Sequence, residues 1–109
     1  MWSVVYLREA EVERSELPKV EIAAMIHADA KLRTLGPALG YPHTNGVRGE
    51  AGLRELRPRA GRSPWRAFYR QIGSGFVIAA VGPEAQVDPY GFRRARRAAV
   101  KRLAEVEER

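Results

Sequence analysis

The sequence has no cysteine, so disulfides and thiolate metal sites are excluded. Histidine occurs twice, as His27 and His43. No spacing between them and a carboxylate suggests a protein-held metal. Lysine is scarce: arginine supplies 16 of the 19 basic residues. No apolar run approaches the roughly 20 residues that span a bilayer. The N-terminal stretch Met1 to Arg8 lacks a basic leader followed by an apolar region and a small-residue cleavage site. A cytoplasmic protein is expected, with no membrane contact, no metal and no cofactor.

What is present is a chain of 109 residues, 45% of them hydrophobic, enough for one folded domain spanning residues 1–109. The net charge of +6 is unevenly spread. Residues 1–35 hold five basic and six acidic groups, residues 36–70 seven and two, and residues 71–109 seven and five. The middle third carries most of the excess. Such a concentration suits nucleic acid or an acidic protein partner, although a solvated basic face has the same signature. Arginine's planar fork fits phosphate better than lysine does.

Trp2 to Leu7 is rich in β-branched and aromatic residues and reads as a strand. A helix follows over about Glu16 to Leu35, with Ser15 as N-cap and Pro18 inside the first turn, where a missing N–H costs little. Gly36-Pro37 ends it, and His43 to Gly52 is a glycine-rich loop. Leu53 to Pro58 and Trp65 to Ile72 are strands, with Arg66, Phe68, Arg70 and Ile72 sharing one face of the second. After a Gly73-Ser74-Gly75 turn, Phe76 to Val81 fits a central strand buried on both faces. Asp88-Pro89 opens the last helix, whose apolar stripe is Phe92, Ala95, Ala99, Leu103 and Val106. The order β-α-β-β-β-α predicts an α+β domain: an antiparallel, mostly four-stranded sheet with helices on one face.

Three stretches in series resemble the RelE/HigB superfamily of bacterial type II toxins. Leu35-Gly36-Pro37-Ala38-Leu39-Gly40-Tyr41-Pro42-His43 is similar to that family's "hGpxLGxPh" segment. Leu53-Arg54-Glu55-Leu56-Arg57 is similar to its "gLxELR" strand, and Trp65-Arg66-Ala67-Phe68-Tyr69 to its "yRxxY" strand. The resemblance runs from about Val4 to Leu103. It implies a RelE-like toxin fold and a cognate antitoxin, expected to be of helix-turn-helix type. It also implies an mRNA interferase, an endoribonuclease acting on ribosome-bound mRNA. The ParE branch shares the fold but inhibits gyrase, so a non-cleaving binding protein is the alternative reading.

Metal-free RNA cleavage needs a base for the 2′-OH proton, cations for the phosphorane charge and an acid for the 5′-oxygen. Arg57 and Arg66 match basic positions of the family and are the candidate phosphate ligands. Tyr90, eight residues after Gly82, matches a tyrosine that acts in catalysis or base stacking. These three are the expected catalytic set. Arg48, Arg54, Arg59, Arg62 and Arg70 are the expected RNA-binding footprint. His43 offers a proton shuttle or an anchor for its loop, and His27 reads as structural. One departure stands out: Gly82-Pro83-Glu84-Ala85 occupies the place where the family carries lysine or arginine. Glu84 there would repel a phosphate.

Overall fold

The structure is a computed structural model and describes residues 1–107. Its elements are β1 (Ser3–Tyr6), α1 (Arg8–Ser15), α2 (Lys19–Leu35), β2 (Thr44–Gly46), β3 (Arg54–Leu56), β4 (Trp65–Ile72), β5 (Gly75–Pro83) and α3 (Pro89–Glu107). The strands form one sheet in the order β1-β5-β4-β3-β2. Four neighbours run antiparallel in sequence order, and β1 lies parallel to β5 at the far edge. The sheet is therefore five-stranded and mixed, not a four-stranded antiparallel one. A parallel pair needs a long crossover, and the helices between β1 and β2 belong to it. The unexpected strand, β2, is Thr44-Asn45-Gly46. It carries no apolar alternation, so only its pairing with Arg54 to Leu56 reveals it.

The helix expected over about Glu16 to Leu35 is α2, which begins at Lys19 instead of just after Ser15, and a separate short helix, α1, precedes it. Ser15 closes α1, with its hydroxyl donating to the Val12 carbonyl at 2.6 Å instead of capping α2. Pro18 stands at the cap of α2, extended at φ −54° and ψ 146°. Asp88-Pro89 behaves as expected: Asp88 Oδ1 accepts from the Gly91 N–H at 2.9 Å and α3 begins at Pro89.

Helices cover both faces of the sheet, not one. Alternation along β4 sends Ala67 and Tyr69 toward α2, where they join Met25, Ala28 and Leu32. It sends Phe68 the other way, edge-on to Phe92 with ring centroids 5.3 Å apart, into a core with Ala95, Ala99 and Leu103 of α3. Burying a side chain of this size contributes about 1.5–3 kcal/mol. The central strand β5 serves both cores. Phe68 pairs with Ala80 but Tyr69 pairs with Ile78, so Ala79 is one residue too many. This bulge turns Ala79 and Ala80 together toward α3, while Ile78 and Val81 face α2. Beyond it, Gly82 meets α3 so closely that a Cβ there would lie 2.5 Å from the Ala95 Cβ.

The pairing of β1 with β5 ends at Tyr6 and Ile78. Past that point side chains complete the ladder. Arg102 donates to the Ala79 carbonyl at 2.8 Å, and Glu13 accepts from the Val81 N–H at 2.9 Å. The two also pair with each other at 3.0 Å. No backbone group on this stretch need be buried unpaired. On the α2 side, the Tyr6 hydroxyl donates to the buried Asp29 carboxylate at 2.8 Å and fastens β1 to α2. Burial pushes the Asp29 carboxyl up to about 6.

Candidate functional site

The alternation of β4 places Arg66 on the face of Phe68, as its sequence predicts, but the side chain is only 2% exposed. Nε donates to Glu55 at 3.2 Å. Nη1 donates to the carbonyls of Ser63 at 2.6 Å and Trp65 at 3.0 Å. Nη2 donates to the Gly61 carbonyl at 3.2 Å and to Glu84 at 2.9 Å. All five N–H donors of a guanidinium are thereby engaged, and none remains to grip a phosphate. The expectation of Arg66 as a phosphate ligand gives way here to a role in the framework. Glu84 is brought to it by the turn after β5, where the Glu84 N–H donates to the Pro64 carbonyl at 2.8 Å. Glu84, standing where the resemblance implies a cation, is thus the counter-charge of a buried arginine. Glu55 shares the arrangement. Burial raises its carboxyl, and Arg66 and Arg57 oppose the rise.

Arg57, just past β3, stands on the other side of Glu55, with Nε 3.8 Å from its carboxylate. Its guanidinium lies 4.8 Å over the Tyr41 ring, and Nη1 reaches the Pro42 carbonyl at 3.4 Å. Nε is buried with no hydrogen-bond partner among the described residues. Arg57 therefore keeps unsatisfied donor capacity where Arg66 has none.

Arg57 opens onto a pocket of about 320 Å³ between α2 and β3. Ala23, Ala24 and Ala28 of α2 form its wall, and Leu39 and Leu56 its floor. Around this apolar interior stand His27 and Lys31 from α2, His43 from the loop before β2, and Arg57 and Arg59. Among the described residues no carboxylate lines the pocket. Positive charge on apolar walls focuses an anion into such a space. Arg59 is partly spoken for, since Nη1 donates to both oxygens of Glu21 at 3.0 and 2.8 Å. That contact holds the Glu21 carboxyl below its ordinary range. It also pins a tight turn in which Arg59 and Ala60 both sit at φ 56°.

The remaining expected residues are dispersed. Arg54 is exposed and donates to Thr44 Oγ1 at 3.3 Å. Arg70 reaches Glu107 and the Ala51 carbonyl, each at 3.3 Å. Arg48 and Arg62 are exposed, with no ion pair among the described residues. Tyr90 is 71% exposed at the start of α3, on the opposite side of the sheet from the pocket. The structure brings Arg57 and Arg66 together only through Glu55, and Tyr90 with neither.

Sequence reasoning reads His27 as structural and singles out neither Lys31 nor the wall between them. A signal existed. Ala23, His27 and Lys31 recur every four residues on α2, and Ala24 and Ala28 run beside them. A face of small residues leaves a void that a core helix would fill with leucine or isoleucine.

Comparisons agree with this geometry at the level of family and fold. The sequence profile of the family described as "Phage derived protein Gp49-like (DUF891)" matches residues 13–79. No curated protein sequence matches the chain. Among solved structures, the chain is similar to one in the toxin–antitoxin complex RelBE2 from Mycobacterium tuberculosis. That match has 22% identity and a TM-score of 0.60, covering 76% of this chain and 98% of that one. A chain of the chromosomal ParDE system of P. aeruginosa matches with 16% identity and a TM-score of 0.59, covering 76% and 96%. A chain of the RelE–RelB complex from Pyrococcus horikoshii matches with 16% identity and a TM-score of 0.55, covering 75% and 93%.

Proposed function

Because the chain belongs to the phage-derived Gp49-like family and has the fold shared by RelE and ParE toxins, we propose that it is the toxin of a type II toxin–antitoxin pair. Its target in this reading is RNA, cut at the pocket between α2 and β3. The observation that carries the reading is two imidazoles and three cations around one apolar pocket that no carboxylate among the described residues lines. Histidine is the side chain suited to exchange protons near neutral pH.

One imidazole, of His27 or His43, takes the proton of a 2′-OH, and the freed oxygen attacks the adjacent phosphorus. Arg57 and Lys31 balance the charge that grows on the phosphorane oxygens. The other imidazole, protonated, gives its proton to the departing 5′-oxygen. The products are a 2′,3′-cyclic phosphate and a 5′-hydroxyl. The apolar wall takes the face of a base, and exposed Arg48, Arg54 and Arg62 hold flanking phosphates. Arg59 and Arg70 join them by exchanging a surface carboxylate for a phosphate. Tyr90 lies too far round the molecule to take part. The substrate is ribosome-bound mRNA and the partner a cognate antitoxin of helix-turn-helix type. Both rest on the family resemblance and on toxin–antitoxin complexes being the structural relatives.

The test is induced expression with mapping of transcript 5′ ends, with and without a small adjacent reading frame. Growth arrest with new 5′ ends is expected, relieved by the neighbour. His43→Ala and His27→Ala should each abolish the new ends while leaving a folded protein. Arrest with intact transcripts would sink the RNA reading. A gyrase-directed inhibitor is the second reading. It is favoured by the nearly equal match to the ParDE chain and by the neutralised Arg66. It predicts blocked supercoiling in a purified gyrase assay.

A further inference from the structure

We propose that the outward face of α3 docks on the phosphate backbone of double-helical RNA, as a surface separate from the pocket under α2. This rests on the RNA reading above but uses different residues. Between Asp88 and Glu105 the chain has no acidic residue and six basic ones. At about 3.6 residues per turn, Arg93, Arg97 and Lys101 form one row, with Tyr90 beside it. That row lies opposite the buried line of Ala95, Ala99 and Leu103. All three cations are exposed and form no ion pair among the described residues.

The row is costly to the helix it sits on. Like charges four residues apart repel, and nothing of opposite sign is interleaved. The neighbouring arginines contrast with it. Arg102 is committed to Glu13 and the Ala79 carbonyl, and Arg96 reaches the Arg48 carbonyl at 3.5 Å. Where the fold needs an arginine of α3, it holds it. In the outward row only Arg93 has a neighbour to rest on, the Tyr90 ring, and none has a counter-charge among the described residues; an anionic partner removes the repulsion.

The spacing says which anion. Four residues advance the helix by about 6 Å, so the row sets three cations along about 12 Å. A run of evenly spaced charge suits a polyphosphate backbone. Tyr90, under Arg93 at 4.8 Å, is the one aromatic on this face among the described residues. A single ring is no platform for successive unpaired bases. Arginine and lysine read guanine edges in the major groove of DNA, but the deep, narrow major groove of duplex RNA is closed to side chains. Backbone contact with a structured duplex is what remains, and duplex RNA is recognised chiefly by shape and phosphate.

The experiment is titration of the full chain with a fluorescent RNA duplex of about 16 base pairs over a series of salt concentrations. Arg93→Gln/Arg97→Gln should lower the slope of log K against log salt by about 2, since each neutralised phosphate contributes about 0.9 for a duplex. A charge-matched control, Arg8→Gln/Lys19→Gln, should leave the slope near its original value. Circular dichroism confirms that both doubles fold. Equal losses in the two doubles would reduce the effect to net charge and overturn the proposal. So would unchanged binding in the α3 double. Competition by polyglutamate as effective as unlabelled duplex would overturn it in favour of an acidic protein partner. Equal affinity for a DNA duplex of the same sequence would overturn the choice of RNA. His43→Ala should bind the duplex normally. If transcripts are never cut yet the α3 double loses duplex binding, the pocket reading has failed and this one has not.

Discussion

Arg66 shows how one residue type serves two purposes that sequence cannot separate. An arginine on a strand face with the family's spacing reads as a phosphate ligand. Whether its donors are free depends on Glu84, eighteen residues on, and on the carbonyls of Gly61 and Ser63 in the preceding turn. Its removal should therefore act on stability first. Arg66→Ala leaves Glu55 and Glu84 facing each other in a half-buried space, and breaking such a pair costs about 3–5 kcal/mol. Urea denaturation should show the loss directly, and a soluble Arg66→Ala of unchanged midpoint would refute the framework role. Arg57→Ala should lose far less stability, because its contacts are longer and one donor is already unpaired. Under the proposed function its effect falls on RNA cleavage.

At the scale of elements, legibility tracked how much each segment decides for itself. Phe76 to Val81 is so uniformly apolar that a strand buried on both faces was its natural reading. Asp88-Pro89 carries its own start signal. The start of α2 falls at Lys19 and not just after Ser15 because Ser15 can cap a helix or close one, and here its hydroxyl closes α1. The strand β2 was invisible because Thr-Asn-Gly acquires strand character only from its partner β3. Of the site, the arginines were legible by type. Their grouping with His27 and His43 was not, since it depends on α2 lying across β3. The alanine wall of α2 can be tested by filling it. Ala24→Leu places three more carbons in the pocket without touching a charge. Stability should hold or rise by up to about 1 kcal/mol through added apolar burial, while the proposed RNA cleavage and any ligand of the pocket are lost. Wild-type cleavage by a folded Ala24→Leu protein would place the chemistry elsewhere.

For the molecule as a whole, the question is what makes two cores one cooperative unit. The α2 side and the α3 side meet across a single sheet, and β5 contributes to both. The Glu13–Arg102 pair adds a second link, because it joins α1 to α3 over the open edge of β5. Each partner also satisfies a backbone group that would otherwise lose its ladder bond. Leaving a buried backbone donor or acceptor unpaired costs about 1–3 kcal/mol. Arg102→Met should therefore lose more than a surface ion pair would, which is about 0–1 kcal/mol. Glu13→Gln, which keeps an oxygen for the Val81 N–H, should lose less than Glu13→Ala. Amide exchange offers a local reading of the same contact: the Val81 amide should lose protection in Glu13→Ala and keep most of it in Glu13→Gln. Trp2 and Trp65 both pack on the α2-side core, so tryptophan emission reports on that core while far-ultraviolet circular dichroism reports on the helices, α3 included. In the native sequence the two signals should change together on denaturation. If Arg102→Met separates them, with helix lost before the tryptophan environment, the clasp is what binds α3 to the rest; coincident transitions in that variant would assign the cooperativity to β5 alone.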